Sequence, residues 1–276
     1  MNAQKRSAAV LRMLVYAGAG FTSAVLVLLV GYILVRGIPN LRPSLFAWKY
    51  TTENVSLLPA LINTVLMTAL SLLIAVPLGI GSAIYLAEYA RRGSRLVRLI
   101  RITAETLSGI PSIIYGLFGQ LFFVAALGLG LSLLSGAMTL SIMILPLVMR
   151  TTEEALLAVP DSYREGSFGL GAGRLRTVFR VVLPSAVPGI LAGVILGIGR
   201  IVGETAALLY TAGSVAEVPK SLFHSARTLS VHMYALSGEG LYLEQSYATA
   251  VVLLVIVIGI NALSAALAKR IARRST

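Results

Sequence analysis

Long charge-free runs dominate the hydropathy pattern, and basic residues bound most of them. Met13–Val35 carries no charge and is flanked by Arg12 and Arg36. Asn54–Ala87 is a second such run, with Pro59 near its start and Pro77 inside it. Thr106–Met149 is also charge-free but too long for one helix, since about 20 residues cross a bilayer core. Gly128, Gly130 and Gly136 divide it into two crossings joined by a tight turn. A fifth crossing is predicted over Leu183–Tyr210, and a sixth over Gln245–Ala268, ending at Lys269. The simplest reading is an all-α integral membrane protein with six transmembrane helices.

Composition agrees. Hydrophobic residues make up 57% of the 276 positions and charged ones only 12%, with mean hydropathy +0.87. Soluble domains average about 25% charged residues. A net charge of +12 suggests nucleic acid until the charges are placed. Lys5, Arg6 and Arg12 precede the first crossing, and Arg91, Arg92, Arg95, Arg98 and Arg101 follow the second. Arg150, Arg164, Arg174, Arg176 and Arg180 lie between the fourth and fifth, and Lys269, Arg270, Arg273 and Arg274 follow the last. Excess Lys and Arg mark cytoplasmic loops, so both termini are predicted in the cytoplasm and the charge reflects topology. No nucleic-acid partner is expected; membrane lipid is. The first crossing is too long for the core of a signal peptide and reads as an uncleaved anchor. With no cysteine, thiol chemistry and disulfides are excluded. His224 and His232 match no common metal motif and read as loop residues.

Arg200 and Glu204 depart from this order, because both fall inside the fifth apolar run. A charge at bilayer depth costs about 2.5–3.5 kcal/mol on insertion scales and marks a candidate functional site. At roughly 100° per residue, with Gly189 at 0°, Gly193 falls near 40°, Gly197 near 80°, Arg200 near 20° and Glu204 near 60°. One face thus combines a smooth glycine stripe, suited to close helix packing, with both charges. Two roles fit. The pair neutralises itself or holds a neighbouring helix, or Arg200 offers its planar fork of donors to an oxyanion on a substrate path, restrained by Glu204.

The loop before this crossing carries the most specific pattern. Glu165-Gly166-Ser167, three residues, Gly171, nine residues, then Val181-Val182-Leu183-Pro184 resembles the EAA loop of bacterial ABC importer permeases. That family's pattern has Glu-Ala-Ala and Ile-x-Leu-Pro, so Gly166, Ser167 and Val181 depart from it. The stretches Asn63–Ala90, Ser108–Gly119 and Gly199–Gly213 are similar to phosphate-specific permeases of the PstA type, with Ala207 where that type usually has proline. The resemblance implies a type I ABC importer (MetI-like) permease fold. It also implies an N-terminal part, residues 1–57, holding the tail, first transmembrane helix and first periplasmic loop. Residues 58–276 would form a five-helix permease core with a coupling loop at about 150–183.

On the same resemblance the chain is a multi-pass permease subunit of a phosphate importer in a bacterial or archaeal cytoplasmic membrane. Its expected partners are a homologous PstC-type permease, two PstB-type ATP-binding subunits and a PstS-type phosphate-binding protein. ATP and Mg would sit on those partners, so no cofactor and no catalysis are expected here. No Gly-Lys-Ser/Thr phosphate loop occurs in the chain. The expected site residues are Arg200 and Glu204 on the pathway, the stripe Gly189, Gly193 and Gly197, and Glu165, Gly166, Ser167, Gly171, Leu183 and Pro184 for ATPase coupling. Alternatives are the same fold carrying sulfate or molybdate, a secondary ion-coupled transporter, which would need more intramembrane carboxylates, and a lipid-phosphate enzyme, which would need a base beside Arg200.

Overall fold

Proline and glycine set where the helices begin, bend and stop. The computed structural model describes residues 2–91, 93–240 and 242–272; Arg92, Arg273 and Arg274 lie outside the described residues. The helices are α1 (Asn2–Gly37), α2 (Leu58–Ile84), α3 (Arg95–Ser108), α4 (Ser112–Gly119), α5 (Leu133–Leu157), α6 (Asp161–Gly169), α7 (Arg174–Thr177), α8 (Leu183–Val202), α9 (Ala206–Thr211), α10 (Leu229–Glu239) and α11 (Leu243–Ala272). Three π-helical segments, Tyr85–Tyr89, Gln120–Ala126 and Val178–Val182, extend α2 and α4 and join α7 to α8.

Among the described residues, five helices are long and apolar enough to cross a membrane, in α1, α2, α5, the α7–α8 run Arg174–Val202, and α11. The sixth crossing differs from the expected one. Instead of a helix starting at Thr106, α3 and the α4 segment meet at a bend of 100°. Gly109 closes α3, and Pro111 opens α4 without an N–H to continue the earlier ladder. The Arg95, Arg98 and Arg101 side of α3 is exposed, while Val97 and Ala104 are buried against the bundle. A second correction concerns Gly136. Gly128 (φ 66°) and Gly130 (φ 65°) make the turn after α4, where a side chain would be strained. Gly136 instead lies inside α5, where an added Cβ would come within 2.8 Å of Met67 and 2.9 Å of Ala212.

α5 is the central post, with 67% of its most apolar window buried, and α2 packs along it. Met67, Ala75, Leu140, Met143 and Ile144 form the middle of this seam. Towards the α6 end, Ala83, Leu86, Leu156, Val178 and Val182 make a second apolar cluster. α1 stands at the periphery against α11, where Gly37 approaches Tyr247 and Val251 and the Tyr32 and Tyr247 rings meet edge-on at 5.8 Å. Pro77 and Pro146 sit inside α2 and α5, which continue through them.

Candidate functional site

The fifth crossing is not one uninterrupted helix. α8 carries Arg200 in its last turn and ends at Val202; Gly203, Glu204 and Thr205 form a break before α9. Glu204 helps to make that break. Its carboxylate accepts the N–H of Ala207 at 3.0 Å, and its carbonyl accepts the Ser230 hydroxyl of α10 at 2.6 Å. The first N–H groups of a helix have no intrahelical partner, and an anion placed there satisfies one and suits the helix dipole. The expected i,i+4 geometry on one helical face is therefore lost. Glu204 is buried and faces the start of α9, and among the described residues no ion pair joins it to Arg200.

Arg200 is partly buried and its charge lies within Coulombic reach of Tyr115 on α4. The Tyr115 hydroxyl donates to the Leu107 carbonyl at 2.8 Å, which ties the start of α4 back to α3. Gly116 and Gly119 let α4 pack directly on α9: a Cβ on Gly116 would meet Ala207 at 2.8 Å, and one on Gly119 would strike Thr139 and Thr211. The Arg200 end of α8, the helix break and α4 thus form one close-packed region.

Gly189, Gly193 and Gly197 face α5. A Cβ on Gly189 would lie 2.6 Å from that of Ala155, and one on Gly193 would collide with Thr151. Gly197 has ordinary room, with Ile144 and Val148 at 3.9 Å. The stripe brings α8 against the central post, while Glu204 leaves that face with the helix break.

At the opposite end, α6 starts after Pro160 and carries Glu165, Gly166 and Ser167. Glu165 and Gly166 are exposed, and Ser167 shares a 2.8 Å hydrogen bond with Thr177 of α7. Gly171, at φ 80°, reverses the chain beyond α6 with open space around it. Leu183 and Pro184 open α8 directly after the π-helical Val178–Val182 that joins it to α7. Phe168 and Leu170 project from this loop, Leu170 with 91% of its surface exposed.

Two contacts were not foreseen from sequence. Glu88, read as a routine carboxylate at the end of a crossing, is buried and paired with Arg164 of α6 at 2.7 Å. Arg101 pairs with the buried Glu153 of α5 at 2.5 Å. No spacing rule links residues 76 positions apart; the only signal is a carboxylate beside an apolar run and a cation beside Glu165. His232 also departs from its expected loop setting. It is fully buried on α10, with Nδ1 3.5 Å from the Arg227 guanidinium and its ring edge-on to Tyr50. Burial and the Arg227 charge lower its pKa to about 4. His224 is exposed beside Ser221.

Comparison with known proteins places this architecture. A family model described as "Binding-protein-dependent transport system inner membrane component" matches residues 75–276. The chain is 35% identical over 243 residues to the "Probable ABC transporter permease protein YqgI" of Bacillus subtilis, covering 81% of each. It is 35% identical over 218 residues to the "Phosphate transport system permease protein PstA 1" of Mycobacterium tuberculosis, covering 78% of this chain and 71% of that one. Among solved structures, a chain of a bacterial alginate ABC transporter in complex with an alginate-bound periplasmic protein superposes with a TM-score of 0.65 at 17% identity, covering 94% of both. That likeness shows a shared fold, and the match across α2 to α11 shows the lineage: the chain belongs to the family of binding-protein-dependent transport system inner membrane components.

Proposed function

We propose that the chain is the permease subunit of an ATP-driven phosphate importer, forming half of the translocation pathway. The observation that carries the reading is Arg200, a guanidinium without a carboxylate partner among the described residues, at the broken end of a membrane-embedded helix. A cation in that setting needs an anion. Its planar fork engages two oxygens of a tetrahedral oxyanion, and the PstA name of its relative supplies phosphate as the cargo. Glu204, held on the start of α9, leaves the arginine available while keeping negative charge nearby. That balance suits conduction, which needs both entry and release.

The drive comes from outside the chain. Two PstB-type subunits would bind ATP and Mg, one of them docking on α6 through exposed Glu165, Phe168 and Leu170. A PstC-type permease would complete the pathway, and a PstS-type protein would deliver phosphate from the periplasmic or extracellular side. Closure of the ATP-binding subunits would then move α6 and reorient the crossings by alternating access. This places α6, Arg91 and Arg95 on the cytoplasmic face of a bacterial or archaeal inner membrane, in line with the charge bias of the loops.

The test is phosphate uptake by an Arg200→Gln variant, with complex assembly measured separately. Uptake is expected to fall by about 5–150-fold, the span of 1–3 kcal/mol, with assembly intact. Uptake at the normal rate would overturn the pathway role, and lost assembly would make Arg200 a packing residue. Competition by sulfate or molybdate equal to that by phosphate would replace the cargo assignment.

A further inference from the structure

Arg164 makes more polar contacts than any surface role requires. Nη2 donates to Glu88 Oε1 at 2.7 Å and to the Leu156 carbonyl at 2.9 Å. Nη1 donates to the Val159 carbonyl at 2.7 Å and to Asp161 Oδ1 at 3.2 Å, and Nε donates to Glu88 Oε1 at 3.2 Å. One side chain therefore joins α6 to two other stretches: the π-helical end of α2, which carries Glu88, and the C-terminal end of α5. Leu156 stands in the last turn of α5, whose C-terminal end favours a cation, and Val159 follows just beyond it. Arg164 is only 14% exposed and Glu88 8%, so solvent does not screen this pair as it would a surface one.

Neighbouring contacts run the same way. Tyr89, next to Glu88, has the Arg174 guanidinium of α7 over its ring at 5.3 Å. Ser167 is hydrogen-bonded to Thr177, also of α7. The two π-helical segments at this end, Tyr85–Tyr89 and Val178–Val182, lie where α2 and α8 receive these contacts; such segments recur at functional sites. Successive helical positions point about 100° apart, so exposed Glu165 and inward Arg164 let α6 face a partner and the bundle at once.

We propose that Arg164, held by Glu88, is the positioning residue that locks α6 to the inner ends of α2 and α5, so that displacement of α6 is transmitted to the crossings rather than absorbed by the loop. The proposal rests on the transport reading above and adds the element through which force enters. Lysine cannot replace the arginine fully, because a single ammonium lacks the fork that reaches several acceptors in fixed directions.

The experiment uses the complete reconstituted complex and measures both phosphate uptake and ATP hydrolysis. Glu88→Gln and Arg164→Lys are expected to leave hydrolysis running while uptake per ATP falls by at least about fivefold, the lower end of typical coupling free energies. The chain has no native cysteine, so a Glu88→Cys/Arg164→Cys variant can be bridged by a bifunctional thiol reagent. Uptake per ATP should be low before bridging and recover afterwards, a result that general loss of stability does not give. An unchanged ratio in the assembled single variants overturns the proposal. So does a bridged pair that assembles but stays uncoupled, and this arm decides if the single variants fail to assemble. Failure of the cargo assignment reads out separately, as a wild-type complex whose hydrolysis and uptake ignore phosphate.

Discussion

At the scale of single residues, environment decides what each ionisable group does. Arg200 and Glu204 are four positions apart, yet one ends a helix beside Tyr115 and the other caps the next helix. His232 shows the same dependence with a measurable consequence. Its native pKa is about 4 against an ordinary 6.5. Between those values the unfolded chain binds a proton that the native state refuses, so stability falls as pH drops through that window and levels off below it. The loss approaches about 3 kcal/mol, at 1.36 kcal/mol per unit. Melting temperatures in detergent at pH 7.5 and pH 4.5 should differ for the native chain. A His232→Asn variant should lose most of that difference, and an equal slope in the variant would exclude His232 as its source.

At the scale of elements, glycine placement separates close packing from mere smoothness. Gly193 and Gly197 belong to one stripe, but only at Gly193 would an added Cβ collide with Thr151. Gly193→Val should destabilise the α5–α8 seam by about 1–3 kcal/mol, the usual cost of overpacking, seen as a lower melting temperature. Gly197→Ala, whose nearest neighbours stand at 3.9 Å, should be nearly silent. The crossing between α3 and the turn at Gly128 gives a second lesson. Even at the full α-helical rise of 1.5 Å each, its 8 α-helical and 7 π-helical residues span at most about 22 Å, short of the roughly 30 Å hydrocarbon core. Hydropathy detects the apolar run from Thr106 onward but not the bend at Gly109–Pro111.

At the scale of the whole molecule, one end of the bundle exposes large apolar side chains: Phe168 and Leu170 project from the loop that carries α6, and the proposed docking of ATP-binding subunits would cover them. In a cysteine-free chain, a Leu170→Cys variant gives a single reporter. It should react quickly with a membrane-impermeant maleimide in the isolated subunit and slowly once ATP-binding subunits are added. Equal labelling in both states would remove α6 as their docking element.

The charge-free runs that form the five long apolar helices were legible in the sequence, because transfer of a segment into lipid is a sum over local residues. So was the spacing from Glu165 through Gly171 to Leu183-Pro184, which marks the loop without describing its contacts. The break at Gly203–Thr205, the burial of Gly136 in α5 and the union of Arg164 with Glu88 were not legible. Each depends on what another stretch of chain presents: Ser230 to the Glu204 carbonyl, Met67 and Ala212 to Gly136, and Glu88 and the carbonyls of Leu156 and Val159 to a guanidinium. Local hydropathy determined which stretches are apolar and long enough to cross a membrane; only packing between distant segments decided where a crossing breaks and which charges meet, because a buried polar group takes whichever partner the fold brings within hydrogen-bond reach.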